Sequence, residues 1–214
     1  MNTYLFDFDG TLVDSMPTYI SAMLRILDEN NISYGDDIVK IITPLGVVST
    51  ARYYIEMGVN STEEKLVSKM KEYMSEEYFY NISAKKNVIT VLKELKNRKA
   101  SLNVLTASPH TTLDPCLKRI GIYDLFDNVW SCDDFNTTKA DPNIYVMVAE
   151  KIGERVEDIL FIDDNLNADK TAKQAGMLVC GVYDDSSKEY VDKIKKATDY
   201  YIYDFSELLE QGLN

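Results

Sequence analysis

Two pairs of aspartates carry the chemistry this chain could do. The first pair, Asp7 and Asp9, follows the short apolar run Tyr4-Leu5-Phe6, in the segment Asp7-Phe8-Asp9-Gly10-Thr11. Carboxylates two apart on an extended chain point the same way. Like charges that close resist joint ionisation unless a cation lies between them. Gly10 lets the backbone turn sharply, and Thr11 can hydrogen-bond that turn or start the next helix. Such a strand end can hold a divalent metal and attack an electrophile with a carboxylate. Taken alone, it reads equally well as a strand followed by an acidic turn.

The second pair closes the run Phe161-Ile162-Asp163-Asp164-Asn165. Adjacent strand residues face opposite sides, so both acids reach one metal only where the chain is already turning. Acids at the end of an apolar strand are costly unless paired. Two further positions lie between the pairs. Thr106, followed by Ala107, Ser108, Pro109 and His110, ends the run Leu102–Leu105 ahead of a helix, where unpaired N–H groups suit a phosphate oxygen. A hydroxyl there also reads as a plain helix cap. Lys139, in Thr138-Lys139-Ala140-Asp141-Pro142-Asn143, sits in a loop before a helix that Pro142 helps to start. A lysine there can neutralise a transferring phosphoryl group, although most loop lysines are solvated. Together the four positions offer a hard-oxygen site for Mg2+, a phosphate grip and a nucleophile.

The elements that must position these residues follow from the apolar pattern. Strand-like runs recur at Thr3–Phe6, Leu102–Leu105, Asn128–Trp130, Ile159–Ile162, Leu178–Val182 and Tyr200–Tyr203. Val88, Val91, Leu92 and Leu95 have the spacing of a helix face. Further helical patterns cover Thr111–Ile120, Asn143–Ile152, Asn167–Ala175 and Ser187–Lys195. Alternating strand and helix predicts an α/β fold with an open, doubly wound parallel sheet and helices on both faces. Between Asp14 and about Tyr80 no convincing strand occurs. Ala22, Met23, Ile26 and Leu27 make one helical stripe, and Thr62–Tyr78 is amphipathic, with Leu66, Met70, Tyr73 and Met74 inward. Thr43-Pro44-Leu45-Gly46 and Gly58-Val59-Asn60 break the helices. The chain therefore divides into an α/β core, 1–14 with 81–214, and an all-helical insert, 15–80, placed after the first strand.

Bulk composition narrows the partners. The chain has 214 residues, a net charge of −12 and 45% hydrophobic residues. That acidity argues against nucleic acid, whose binders carry a basic face. An anionic small molecule then needs a local positive site. Three cysteines, Cys116, Cys132 and Cys180, show no zinc or redox spacing and read as buried free thiols in a reducing cytoplasm. No run is long and apolar enough to span a membrane, and no targeting segment precedes the acidic motif. The oligomeric state stays open between monomer and dimer.

The ordered set Asp7-Phe8-Asp9-Gly10-Thr11-Leu12-Val13-Asp14-Ser15, Leu105-Thr106-Ala107-Ser108, Lys139-Ala140-Asp141-Pro142 and Phe161-Ile162-Asp163-Asp164-Asn165, with Ala175-Gly176-Met177 behind, resembles the haloacid dehalogenase-like superfamily. The insert resembles the small helical cap of its phosphoglycolate phosphatase and β-phosphoglucomutase branch. The resemblance implies a Rossmann-like core, Mg2+ and a small phosphate ester as substrate. It implies Asp7 as nucleophile, Asp9 as general acid and base, and Thr106, Ala107 and Lys139 as phosphate-binding groups. It implies Asp7, Asp164 and the Asp9 carbonyl as metal ligands, with Asp163 acting through water or orienting the loop. Arg52, Tyr19 and Ser108, with Tyr53 and Tyr54, are weaker candidates for substrate contact; for Arg52, Tyr53 and Tyr54 the competing reading is a helix with a tyrosine packing stripe.

The chain departs from that pattern at Ala140, where proline often follows the lysine, and at Ser83-Ala84-Lys85-Lys86, where relatives carry a Pro-Gly turn. Asp9 separates it from relatives that cleave carbon–halogen bonds, which lack this acid. Tyr19 stands where mutase relatives place a histidine, and the single histidine, His110, lies elsewhere. Phosphomonoester hydrolysis is therefore the expected reaction, with sugar-phosphate mutase as the alternative. A receiver-like phosphorylation switch shares the acid pair, hydroxyl and lysine, but its nucleophile lies on a middle strand of a shorter, capless domain.

Overall fold

A computed structural model describes residues 2–43 and 45–210. The chain forms two compact units, Met1–Asp14 with Ser83–Asn214, and Ser15–Ile82.

The first unit begins with β1 (Thr3–Phe6), buried along its whole length. The second unit is helical: α1 (Met16–Glu29), α2 (Ile38–Ile42), α3 (Gly46–Glu56) and α4 (Glu63–Tyr80). Its core gathers Ala22, Met23, Ile26, Leu27, Ile38, Ile42, Ala51, Tyr54, Leu66, Met70 and Tyr73, as the helical stripes require, while Met74 is only partly buried against them. Thr62 caps α4 by accepting the Lys65 N–H, the usual role of a threonine at a helix start. The break proposed at Pro44 lies outside the described residues. Gly58 adopts φ +108° between α3 and α4, a conformation glycine reaches without strain.

The first unit resumes with α5 (Val88–Asn97), β2 (Ser101–Thr106), α6 (His110–Arg119) and β3 (Asn128–Ser131). It continues through α7 (Asn143–Ile152), β4 (Ile159–Asp163), α8 (Leu166–Ala175), β5 (Leu178–Val182), α9 (Val191–Ala197), β6 (Tyr200–Ile202) and α10 (Glu207–Glu210). The six strands form one sheet in the order β3-β2-β1-β4-β5-β6, and every pairing is parallel. Strands buried on both faces read as unbroken apolar runs, which is why Ile159–Ile162 and Leu178–Val182 stand out in the sequence. Leu5, Phe161 and Val179 pack against Tyr145 and Val148 of α7 and Ala172 of α8. The alternate residue Phe6 stacks with Phe205 and meets the edge of Phe126.

The helix expected over Ser187–Lys195 is instead a 3₁₀ segment, Asp185–Tyr190, followed by α9. The Asp184 side chain accepts the Ser186 N–H and starts the tighter turn. Strand β6 stops at Ile202 rather than Tyr203, because the Tyr203 N–H turns to Glu207 Oε1 at 2.9 Å.

The strand order reverses direction between β1 and β4. Open α/β sheets bind ligands outside the carboxyl ends of the strands at that switch point. The pairing Phe6↔Ile162 brings the two acid-bearing strand ends side by side, and the Asp7 N–H donates to the Ile162 carbonyl at 2.9 Å.

Candidate active site

Asp7, directly after β1, is 5% exposed, and Asp163, the last residue of β4, is 1% exposed. Asp7, Asp163 and Asp164 each offer a carboxylate oxygen within 4.8 Å of the others. Lys139 donates from Nζ to Asp7 Oδ1 and, at 2.8 Å, to Asp163 Oδ2. The other Asp163 oxygen accepts the Asn165 N–H at 2.7 Å, so this acid shapes the turn into α8 as well as joining the cluster. Asn165 caps α8 by accepting the N–H groups of Asn167 and Ala168.

Gly10 explains how Asp164 comes in. It adopts φ +74°, and a Cβ on it would lie 2.8 Å from Asp164 Cγ and both carboxyl oxygens. Only a residue without a side chain lets the acid loop approach that carboxylate. The chain has left the extended conformation by then, with isolated bridges Asp9↔Val13 and Val13↔Ala84. The Asp9 carboxylate stands outside the three-acid cluster and accepts a 2.5 Å bond from the Ser108 hydroxyl.

Thr106 ends β2, 1% exposed, and its hydroxyl oxygen accepts the Ser108 N–H at 3.0 Å. Neither Thr106 nor Ser108 caps α6; the residue at that position is Pro109, with no side-chain cap bond. Ala107, exposed, lies between them. In the Lys139 loop the Ala140 N–H donates to Thr138 Oγ1 at 3.3 Å, a bond proline cannot make. The Tyr145 hydroxyl lies 3.1 Å from the Lys139 carbonyl and 3.2 Å from that of Ala168, tying this loop to α8.

The helical unit holds two of the weaker candidates, Arg52 and Tyr19. Arg52 is exposed and makes a two-pronged ion pair with Glu63, at 2.6 and 3.1 Å. The Tyr19 hydroxyl is buried, with Thr50 beside it. Tyr54 is fully buried and donates to the Met23 carbonyl at 3.2 Å, as a packing stripe requires. His110 is held between Asp114 at 2.8 Å and Asp134 at 2.9 Å.

The electrostatics test whether the cluster fits a cation. Burial pushes the Asp7 pKa up to about 7; Lys139 opposes this, while Asp163 and Asp9 add to it. Burial, then Asp163, Asp7 and Asp184, hold Asp164 well above the carboxylate range. Asp169, in the first turn of α8, is fully buried with both oxygens unpartnered among the described residues. Burial and the charges of Asp163 and Asp164 raise its pKa to about 9. One lysine does not neutralise three buried acids and the part-buried Asp164. Their hard oxygens and surplus negative charge fit a divalent cation.

Three contributors have weak signals in the sequence. Asp169 reads as an ordinary favourable charge at a helix N-terminus. Tyr145 reads as one more apolar position of α7. Lys85, 18% exposed, reads as a loop lysine, yet donates to the Gly10 carbonyl at 2.7 Å.

Known proteins resemble this chain throughout. A family model for haloacid dehalogenase-like hydrolases matches residues 4–182. The pyrophosphatase PpaX of Bacillus velezensis is 27% identical over 179 residues, 83% of this chain and 81% of the relative. The phosphorylated carbohydrates phosphatase of Thermotoga maritima is 26% identical over 180 residues, 83% of this chain and 82% of that one. Among solved structures, Bacillus subtilis YfnB, assigned as a HAD-hydrolase and bound to magnesium, superposes with a TM-score of 0.81 at 18% identity, over 98% of this chain and 97% of that chain. That last likeness speaks for the fold. No described helix is long and apolar enough to cross a membrane.

Proposed function

Since the chain belongs to the haloacid dehalogenase-like hydrolase family, we propose that it hydrolyses small-molecule phosphate monoesters through an aspartyl-phosphate on Asp7. The observation that carries this reading is the shared hold of Lys139 on the buried Asp7 and Asp163 within a three-acid cluster. The name of one relative, a phosphatase of phosphorylated carbohydrates, supports the ester class, and that of the other, a pyrophosphatase, supports phosphoryl transfer to water.

In this mechanism an Asp7 carboxylate oxygen attacks phosphorus as the ester P–O bond breaks. Asp9 gives its proton to the departing alkoxide oxygen. The Ser108 hydroxyl, 2.5 Å from Asp9 Oδ2, orients that acid. Asp9 then takes a proton from water as the water oxygen attacks phosphorus, and cleavage of the bond to Asp7 frees phosphate and restores the carboxylate. Lys139 neutralises charge on the phosphoryl oxygens, and the Thr106 hydroxyl and Ala107 N–H serve the same oxygens. Asp7, Asp164 and the Asp9 carbonyl would hold Mg2+, with Asp163 orienting them, and the ion would offset repulsion between the nucleophile and an anionic ester.

The test is phosphate release from a panel of sugar phosphates, phosphoglycolate, nucleotides and pyrophosphate with Mg2+. Free phosphate from a monoester supports the reading. Isomerised sugar phosphate without release makes the protein a mutase and overturns hydrolysis as its main reaction. Asp7→Asn is expected to abolish turnover while the chain stays folded. Wild-type turnover in that variant would refute Asp7 as nucleophile.

A further inference from the structure

Lys85 lies just past the boundary at Ile82, in the segment before α5. Its backbone N–H donates to the Leu12 carbonyl at 3.0 Å, and nearby the Asp14 N–H donates to the Ser83 carbonyl at 3.1 Å. Its ammonium donates to the Gly10 carbonyl at 2.7 Å, the Tyr183 carbonyl at 2.8 Å and Asp184 Oδ2 at 2.9 Å. An ammonium has three donors, and all three are engaged here. Asp184 is buried, and its other oxygen accepts both the N–H and the hydroxyl of Ser186. A loop lysine that gives up water for two carbonyls and a buried carboxylate is a fastening. It joins the loop after β1 to the loop after β5.

What this fastening holds is the turn against Asp164. The carbonyl bound by Lys85 belongs to Gly10, the residue whose α-carbon approaches Asp164 so closely that a Cβ would fall 2.8 Å from its carboxyl atoms. Thr11, the next residue, donates to Asp164 Oδ1 at 3.4 Å. Loosening the Gly10 peptide therefore loosens the wall against which the Asp164 carboxylate is placed.

We infer that Lys85 is a positioning residue for the acid cluster: by clamping the Gly10 turn to the β5 loop it sets the affinity of Asp7, Asp163 and Asp164 for a divalent cation. The inference rests on the metal-dependent reading above. It adds a residue that neither touches substrate nor ligates the ion.

The test is Mn2+ binding to the full chain, followed by electron paramagnetic resonance at a temperature where every variant is folded by circular dichroism. Lys85→Met is expected to weaken Mn2+ binding by about tenfold or more, the usual effect of removing a partner that orients a ligand. Asp184→Asn leaves the two carbonyl bonds in place and is expected to weaken binding less. Asp164→Asn serves as the ligand control. Mn2+ binding in Lys85→Met equal to wild type, with Asp164→Asn weakened, overturns the inference and leaves the metal site standing. No binding by wild type overturns the metal site itself, and the inference falls with it. Should Lys85→Met fail to fold, unchanged affinity in Asp184→Asn overturns the inference instead.

Discussion

Replacing Lys139 with methionine removes the one ammonium that touches both Asp7 and Asp163. Methionine keeps an apolar stem of similar length beside the Phe161 ring, which lies 5.6 Å from the ammonium. Breaking a buried ion pair by deleting one partner costs about 3–5 kcal/mol when the other charge persists. A carboxylate has a cheaper escape, because it can take up a proton. At pH 7 that uptake costs at most about 4 kcal/mol for a group whose unfolded pKa is about 3.9, at about 1.4 kcal/mol per unit. Asp7, already raised to about 7 in the wild type, is half protonated there and has only about 0.4 kcal/mol further to lose.

The sign follows from the direction of the shifts. A carboxyl whose folded pKa is raised destabilises the fold only above its unfolded pKa, and increasingly so as pH rises towards the folded value. The loss in Lys139→Met is therefore capped at about 4–5 kcal/mol at pH 7 and at about 1.5–2 kcal/mol per titrating acid at pH 5. The assay is urea unfolding in the presence of a chelator at both pH values, read from Trp130, the single tryptophan of the chain, which lies on β3 of the core. A loss as large at pH 5 as at pH 7 would refute the idea that Lys139 stabilises the core by neutralising these two acids.

Two further substitutions test other contacts. Gly10→Ala places a methyl group 2.8 Å from the Asp164 carboxyl at φ +74°; a loss of about 1–2 kcal/mol from the left-handed backbone alone is expected, together with a fall in kcat/KM, and wild-type kcat/KM would refute the close approach. His110, bonded to Asp114 and Asp134, has its pKa raised above the ordinary 6.5. The stabilisation is thus present at low pH and lost as pH rises through the raised value; with the ring 41% exposed, it is worth no more than about 1 kcal/mol. The single histidine gives one NMR titration: its midpoint should lie above 6.5 in the wild type and drop in Asp134→Asn, and a wild-type midpoint at or below 6.5 refutes the paired geometry.

What was legible in the sequence was local. The strand runs and the acids at their ends declared themselves because a parallel sheet is covered on both faces, so a carboxylate closing an apolar run is conspicuous. The helical unit was legible for the matching reason, since its buried stripes keep a helix period over several turns. The capping role considered for Thr106 misled: its hydroxyl serves the Ser108 N–H two residues on. Lys85, Tyr145 and Asp169 stayed hidden because their partners are remote. Lys85 meets Gly10 across 75 positions and Tyr183 across 98, and no local pattern records such a meeting.

Charge links these residues into one argument. Asp7, Asp163 and Asp164 gather at the carboxyl ends of β1 and β4, and the buried Asp169 follows in α8. Lys139 faces two of them, while the ammonium of Lys85 is spent on Asp184 and two carbonyls. The surplus must be met by protons or by a cation. Protons on Asp164 and Asp169 meet part of it, and Asp7, raised to about 7, takes a share near neutrality at the expense of the nucleophile the proposed chemistry needs. A divalent cation neutralises the same surplus and leaves the Asp7 oxygen unprotonated. The same burial thus makes the acid cluster costly for an empty fold, and a divalent cation is suited to relieve that cost.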